Sequence, residues 1–180
     1  MYWSGVIIMS LQSQPVPFPE DTEEFRSIQK VVSRLSIEHN SDYMGNKSLV
    51  RKTPIGFTGS RQTSENNKSR IAELACVLAE KNALIVSGGA KGTDMAAHES
   101  VFHSSSGATL IFPPLSLYDS SIQNRFSLFL NPEILERTLF LSPFHEAATN
   151  YSSMPLIRNE LIAAFSGVCI IGQTGSKGGT

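Results

Sequence analysis

Cysteine is scarce. Cys76 and Cys169 are the only two in 180 residues, too few for a disulfide framework, and neither belongs to a metal-ligand pair. Both lie in apolar runs, where a free thiol behaves as a small hydrophobe, so a reducing compartment is the simpler expectation. Long hydrophobic runs are missing too. Val6–Met9 is the only segment suggestive of export, but it lacks a basic flank and falls well short of the ~20 apolar residues of a membrane span. The expectation is a soluble, cytoplasmic chain with no membrane partner. Charge of one sign is absent: 15 Lys and Arg face 16 Asp and Glu, for a net charge of −1. Overall charge therefore gives no reason to invoke nucleic acid or acidic lipid, although a local basic patch stays open. The four histidines (His39, His98, His103, His145) are scattered, and no spacing of His and Cys resembles a zinc site. No cofactor is expected.

What the chain does have is a globular composition, 41% hydrophobic and 17% charged, at a length that suits one ordinary domain with a real core. Pro15, Pro17 and Pro19 mark an extended connector. Phe25, Ile28, Val32 and Leu35 then recur at helical spacing, with Asp21 or Thr22 as a cap. Residues 38–52 are polar and aperiodic and are expected to form a linker or exposed loop. Beyond them, short apolar runs alternate with helical patterns. Strands are expected at 54–59, 83–86, 108–112, 137–141 and 168–171. Helices are expected around Ile71–Leu78, from Thr93 or Asp94 through His98, and over Leu156–Phe165. Continuous apolar strands imply that both sheet faces are covered, and the alternation predicts an α/β fold with a doubly wound, mostly parallel sheet and helices on both faces. In that architecture ligands sit beyond the carboxyl ends of the strands, and the glycine-containing segments fall there.

Three segments carry the candidate chemistry. Gly59-Ser60-Arg61 is a strand-to-helix turn in which glycine permits close approach, serine offers a hydroxyl and arginine a bidentate phosphate contact; a plain turn with a solvated arginine is an equal reading. Ser87-Gly88-Gly89-Ala90-Lys91-Gly92-Thr93-Asp94 places three glycines between a strand and a helix. Such a loop can wrap an anion, with Lys91 in reach of phosphate and Asp94 capping the helix or orienting the loop. It is neither the dinucleotide fingerprint nor a nucleotide-binding P-loop. Arg158-Asn159 precedes the third segment; Arg158 either binds phosphate or pairs with Glu160 or nearby carbonyls. The final loop, Gly175-Ser176-Lys177-Gly178-Gly179-Thr180, repeats the small-residue chemistry, and its abrupt end suggests a fragment of something longer. Between Lys47 and Lys91 eight basic residues face three acids, so the part holding two glycine loops is the basic part. A catalytic apparatus is not evident: His98 reads better as a helix histidine packed behind the loop than as a base. No enzyme activity is expected from these residues.

The order of Ile55-Gly56-Phe57-Thr58-Gly59-Ser60-Arg61, then Ser87–Asp94 with Ala96-Ala97-His98, then Arg158-Asn159-Glu160-Leu161-Ile162-Ala163 before a strand and a Gly-Ser-rich loop, resembles the DNA-processing protein A family (DprA/Smf). The likeness spans about residues 50–180. It implies a Rossmann-like domain over residues 51–180, continued beyond the chain's end, preceded by an N-terminal extension over residues 1–50. It further implies single-stranded DNA binding in a basic pocket, a homodimer, and loading of the RecA recombinase during natural transformation, with no established enzyme activity. Gly59, Ser60, Arg61, Ser87, Gly88, Gly89, Lys91, Gly92 and Asp94 would line the pocket. Arg158, Asn159, Gly175, Ser176 and Lys177 would complete its wall. Lys91 stands where the family more often has arginine, and Thr93 where it has isoleucine. The alternative on the same fold is a nucleotide-ligand sensor or a LOG-like phosphoribohydrolase.

Overall fold

The computed structural model describes residues 16–17, 26, 42–144 and 154–174. The expected helix beginning near Asp21 lies outside them except for Arg26, as does the loop 175–180. Seven strands form one sheet among the described residues: β1 (Val16–Pro17), β2 (Asp42–Gly45), β3 (Thr53–Thr58), β4 (Ala83–Ser87), β5 (Ala108–Ile111), β6 (Thr138–Ser142) and β7 (Val168–Ile171). Their order is β1-β2-β6-β5-β4-β3-β7. The five strands from β6 to β7 run parallel, and β1 and β2 add an antiparallel margin. The helices are α1 (Glu65–Glu80), α2 (Thr93–His103), α3 (Ser120–Arg125), α4 (Pro132–Leu135) and α5 (Met154–Phe165).

Local chemistry sets the boundaries. Ser64 caps α1 by accepting from the Asn67 amide, and the helix ends where Asn82 enters the left-handed region at φ 66°, a conformation asparagine tolerates. Asp119 and Asn131 cap α3 and α4 through the Ser121 and Glu133 amides, and Pro132 occupies the first turn of α4, where no amide is needed. Alternation along each strand divides the core. Leu84, Val86, Leu110, Leu139 and Leu141 meet Leu161 and Ile162 of α5 on one face. On the other, Phe57 and Ile85 pack against Ile71, Ala75 and Ala79 of α1 and Ala96 and Ala97 of α2. Further along that face Ile111 and Phe140 meet Ile122, Phe126, Phe129 and Leu135. Helices thus cover both faces, and the expected doubly wound α/β architecture is present.

The winding places the crevice. From β3 the chain steps through β4, β5 and β6 in one direction, then returns through α5 to lay β7 on the opposite side of β3. This reversal is a topological switch point, where the loops leaving adjacent strands diverge and open a cleft. It lies above Gly59 and beside the Ser87–Asp94 loop.

One expectation needs correction. Residues 38–52 are not a linker throughout: Asp42–Gly45 is β2, paired in register with β6 (Tyr43 with Leu141, Met44 with Phe140), and Lys47–Arg51 is a 3-10 helix capped by Asn46. Only two of the four β2 residues are apolar, too short a run to show a period. Met44 is 1% exposed in the cluster with Phe126 and Phe140. Met44→Ala is therefore expected to lower the unfolding free energy by about 2–5 kcal/mol in urea titrations, whereas an exposed linker position would leave it unchanged.

Candidate functional site

The Gly59-Ser60-Arg61 turn and the Ser87–Asp94 loop meet above the ends of β3 and β4. The Ser60 carbonyl accepts from the Thr93 amide at 3.3 Å and from the Thr63 hydroxyl at 2.6 Å, and the Thr63 and Thr93 hydroxyls are 2.9 Å apart. Space at the junction is minimal. A side chain at Gly59 would overlap Thr93, and one at Gly92, whose φ is +86°, would overlap the Ser60 carbonyl. The third wall comes from the loop after β7. The Gln173 carbonyl accepts from the Ser60 amide at 2.7 Å, and its side-chain oxygen accepts from the Ser64 amide at 3.1 Å and the Asn67 side chain at 3.0 Å. Gln173 was not identified in the sequence, where a lone glutamine after a strand carries no signal. The Ser60 hydroxyl accepts from the Gln62 amide at 3.0 Å and retains its own proton to donate.

The glycine loop does wrap an anion, but the anion belongs to the protein. The Asp94 carboxylate accepts from the Ala90 amide at 3.1 Å and from the Gly88 amide. Arg158 Nη1, donated from α5 on the opposite face of the sheet, completes the shell at 3.2 Å. Both residues are 4% exposed. Of the two readings of Arg158, phosphate ligand or partner of an internal group, the structure supplies a partner neither spacing nor sequence proximity suggested: Asp94, 64 positions away. The guanidinium fills the space above Gly88, where a methyl group would coincide with Nη1. Burial pushes the Asp94 carboxyl up from its ordinary range, while the Arg158 charge and the loop amides pull it down. Burial likewise works against the Arg158 charge, and Asp94 supports it.

Beneath the loop His98 is fully buried, its Nδ1 2.6 Å from the Thr109 hydroxyl, which donates to the Ile85 carbonyl at 2.9 Å. Burial first, and the Arg158 charge second, hold the imidazole neutral, pushed down to about 3. A packed histidine behind the loop, as expected, has no access to solvent-borne substrate.

The exposed chemistry is cationic at the rim. Gly88, Gly89 and Gly92 are buried, whereas Arg61 and Lys91 are exposed. Both line an open groove of about 500 Å³ between α1 and α2, together with Lys68, Ser69, Met95 and Glu99. Lys68 is held by Glu65 at 2.7 Å, which leaves Arg61 and Lys91 as the cations facing the groove from the two glycine loops. Asn159 is half-buried beside Arg158. Gly175, Ser176 and Lys177 lie outside the described residues. Arg125, at the end of α3, is exposed and lies outside every glycine motif.

Two outcomes follow from this packing. Gly88→Ala displaces the guanidinium from Asp94 and is expected to lower stability by about 3–5 kcal/mol in chemical unfolding, the loss typical of a broken buried ion pair. The neutral His98 makes stability fall in acid: below pH ~6.5 the unfolded chain takes up a proton that the folded chain refuses until about 3. Between pH 7.5 and 5.0 this term amounts to about 2 kcal/mol, and it should disappear from the difference between the two pH values in His98→Asn.

The fold has known counterparts. No curated protein matches the sequence significantly. Among solved structures the fold is similar to DNA processing protein A from Helicobacter pylori, described for its unique single-stranded DNA binding mode. The TM-score is 0.70 at 25% identity, over 93% of this chain and 74% of that one. It is also similar to the X-ray structure of DNA processing protein A from Streptococcus pneumoniae, with a TM-score of 0.61 at 24% identity, over 76% of this chain and 48% of that one. The chain thus spans about half the length of the streptococcal protein. No helix among the described residues is long and apolar enough to cross a membrane. The family model for DNA recombination-mediator protein A matches residues 42–180, from β2 to the last residue, and the chain belongs to that family.

Proposed function

We propose that this protein binds single-stranded DNA by its sugar–phosphate backbone, with Arg61 and Lys91 as the first phosphate contacts. The observation that carries this reading is the convergence of two glycine loops that each present one exposed cation to the same groove. Phosphate oxygens attract both cations regardless of the base attached, so binding is sequence-tolerant. The Ser60 hydroxyl adds a neutral donor at the same rim. Asp94, Arg158 and the buried glycines serve this interface from behind by fixing the loop. Gly175, Ser176 and Lys177, in the segment after Gln173, extend the same wall in the proposal. No covalent step is part of it. Assembly as a homodimer in the cytoplasm and loading of RecA during DNA uptake are its finer parts and rest on family membership.

A labelled oligonucleotide titrated by fluorescence anisotropy at several salt concentrations tests the reading. Log K is expected to fall with log salt by about 0.7 for each phosphate neutralised. Arg61→Ala or Lys91→Ala should each lower affinity about fivefold near ~0.1 M salt, the value one such contact contributes, and flatten the slope accordingly. Absence of binding by the folded protein at low salt would overturn the proposal. So would competition by a mononucleotide as strong as by the oligonucleotide, which would favour a small-nucleotide ligand.

A further inference from the structure

The glycine loop is held on two sides, and only one side is accounted for by Arg61 and Lys91. At the other, a methyl group on Gly89 would overlap the Phe126 ring, so that ring is the surface on which the loop rests. Phe126 is buried and packs edge-on against Phe129 and Phe140, with centroids 6.1 and 5.5 Å away, which makes it a rigid support. Directly before it, Arg125 is exposed, with its guanidinium carbon 5.6 Å from the centroid of the same ring. Gly88 meets the Arg158 guanidinium, Gly89 meets the Phe126 ring, and Gly92 meets the Ser60 and Arg61 backbone. Three separate segments, each carrying an arginine, therefore enclose the loop.

From this placement we infer that Arg125 is a phosphate-binding residue on the far flank of the Ser87–Asp94 loop, so that a strand gripped by Arg61 and Lys91 crosses the loop and meets a second backbone contact there. The inference rests on the single-stranded DNA reading of the groove and extends it to a residue outside both glycine loops. Electrostatics give it direction. Partial burial disfavours the Arg125 charge, Asp94 favours it and Arg61 opposes it. Arg158 in turn feels Asp94, Arg61 and Arg125. The one carboxylate that offsets both Arg125 and Arg158 is already committed to Arg158 and the loop amides. Arg61 and Arg125 bear on each other with like charge, which an external anion between them would relieve. A phosphodiester supplies one negative charge per nucleotide, and its oxygens match the planar donor fork of arginine.

Two readouts with opposite signs separate this role from a merely structural one. The full chain is compared with Arg125→Gln, Arg125→Lys and, as a remote control, Lys81→Ala. In the oligonucleotide titration Arg125→Gln is expected to weaken binding about fivefold near ~0.1 M salt and reduce the salt slope by about 0.7. Arg125→Lys keeps the slope, and Lys81→Ala changes neither. Without DNA, Arg125→Gln is expected to match or exceed the wild-type melting temperature, because the folded state disfavours the Arg125 charge, chiefly through partial burial. If the wild type binds and Arg125→Gln binds equally well with an unchanged slope, the inference is overturned while the DNA reading stands. A variant that melts lower and binds weaker with an unchanged slope also overturns it, since Arg125 would then act only as a prop for Phe126. A wild type that fails to bind removes the underlying reading instead.

Discussion

A carboxylate and a guanidinium from opposite faces of the sheet meet inside the glycine loop, and the geometry of the site depends on that encounter. Asp94 sits in the first turn of α2, and Arg158 reaches it from α5. Neither charge is tolerable alone at this depth, because desolvating one ion without a partner costs several kcal/mol. The loop amides of Ala90 and Gly88 take up the remaining lone pairs of the carboxylate. Gly88 follows from the same constraint: only a residue without Cβ leaves room for the guanidinium at that position. The loop is thus shaped by an internal anion. It does not wait empty for an external one, and its outer surface is left to present Lys91 beside Arg61.

Most of the fold was legible in the sequence because its central strands are buried on both sides. Ala83–Ser87 and Ala108–Ile111 are covered at every position, and residues so placed must be small or apolar, which produces continuous runs that need no periodicity to be recognised. β2 escaped notice for the complementary reason. Its place is fixed by the β6 ladder and by Met44 reaching the aromatic cluster, both tertiary conditions, while four residues containing an aspartate and a glycine carry almost no local signal. The short helices between β5 and β6 were missed likewise: α3 has six residues and α4 four, less than the two turns over which an apolar stripe becomes visible.

The candidate site was legible in its parts and not in its wiring. Glycine spacing identified both loops, and position relative to the strands placed them at one end of the sheet. What spacing could not reveal is which polar residues face inward. Asp94 reads as a helix cap or loop-orienting residue and Arg158 as a phosphate ligand or the partner of a nearby group, but that the two turn into the protein toward each other is not written in the spacing. Gln173 and Arg125 lay outside any motif, since each owes its importance to a contact made by another element: the Ser60 amide in one case and the ring behind Gly89 in the other.

A neutral histidine under the loop is consistent with this division of labour. A protonated His98 would add a third charge beside Arg158 at a point where the single nearby carboxylate is already shared. Its burial and the Arg158 charge hold it neutral instead, while its Nδ1 contact with Thr109 fixes its position. Thr109 passes the chain of hydrogen bonds on to the β4 backbone at Ile85, so α2 is tied to the sheet by directional contacts as well as by the packing of Ala96 and Ala97. Because Thr93 at the start of α2 also grips the Ser60 carbonyl, displacement of the helix would move the Arg61 turn with it. The cationic rim is held in register by neutral hydrogen bonds beneath it, and the layer below adds no net positive charge, since Asp94 offsets Arg158 and His98 is neutral.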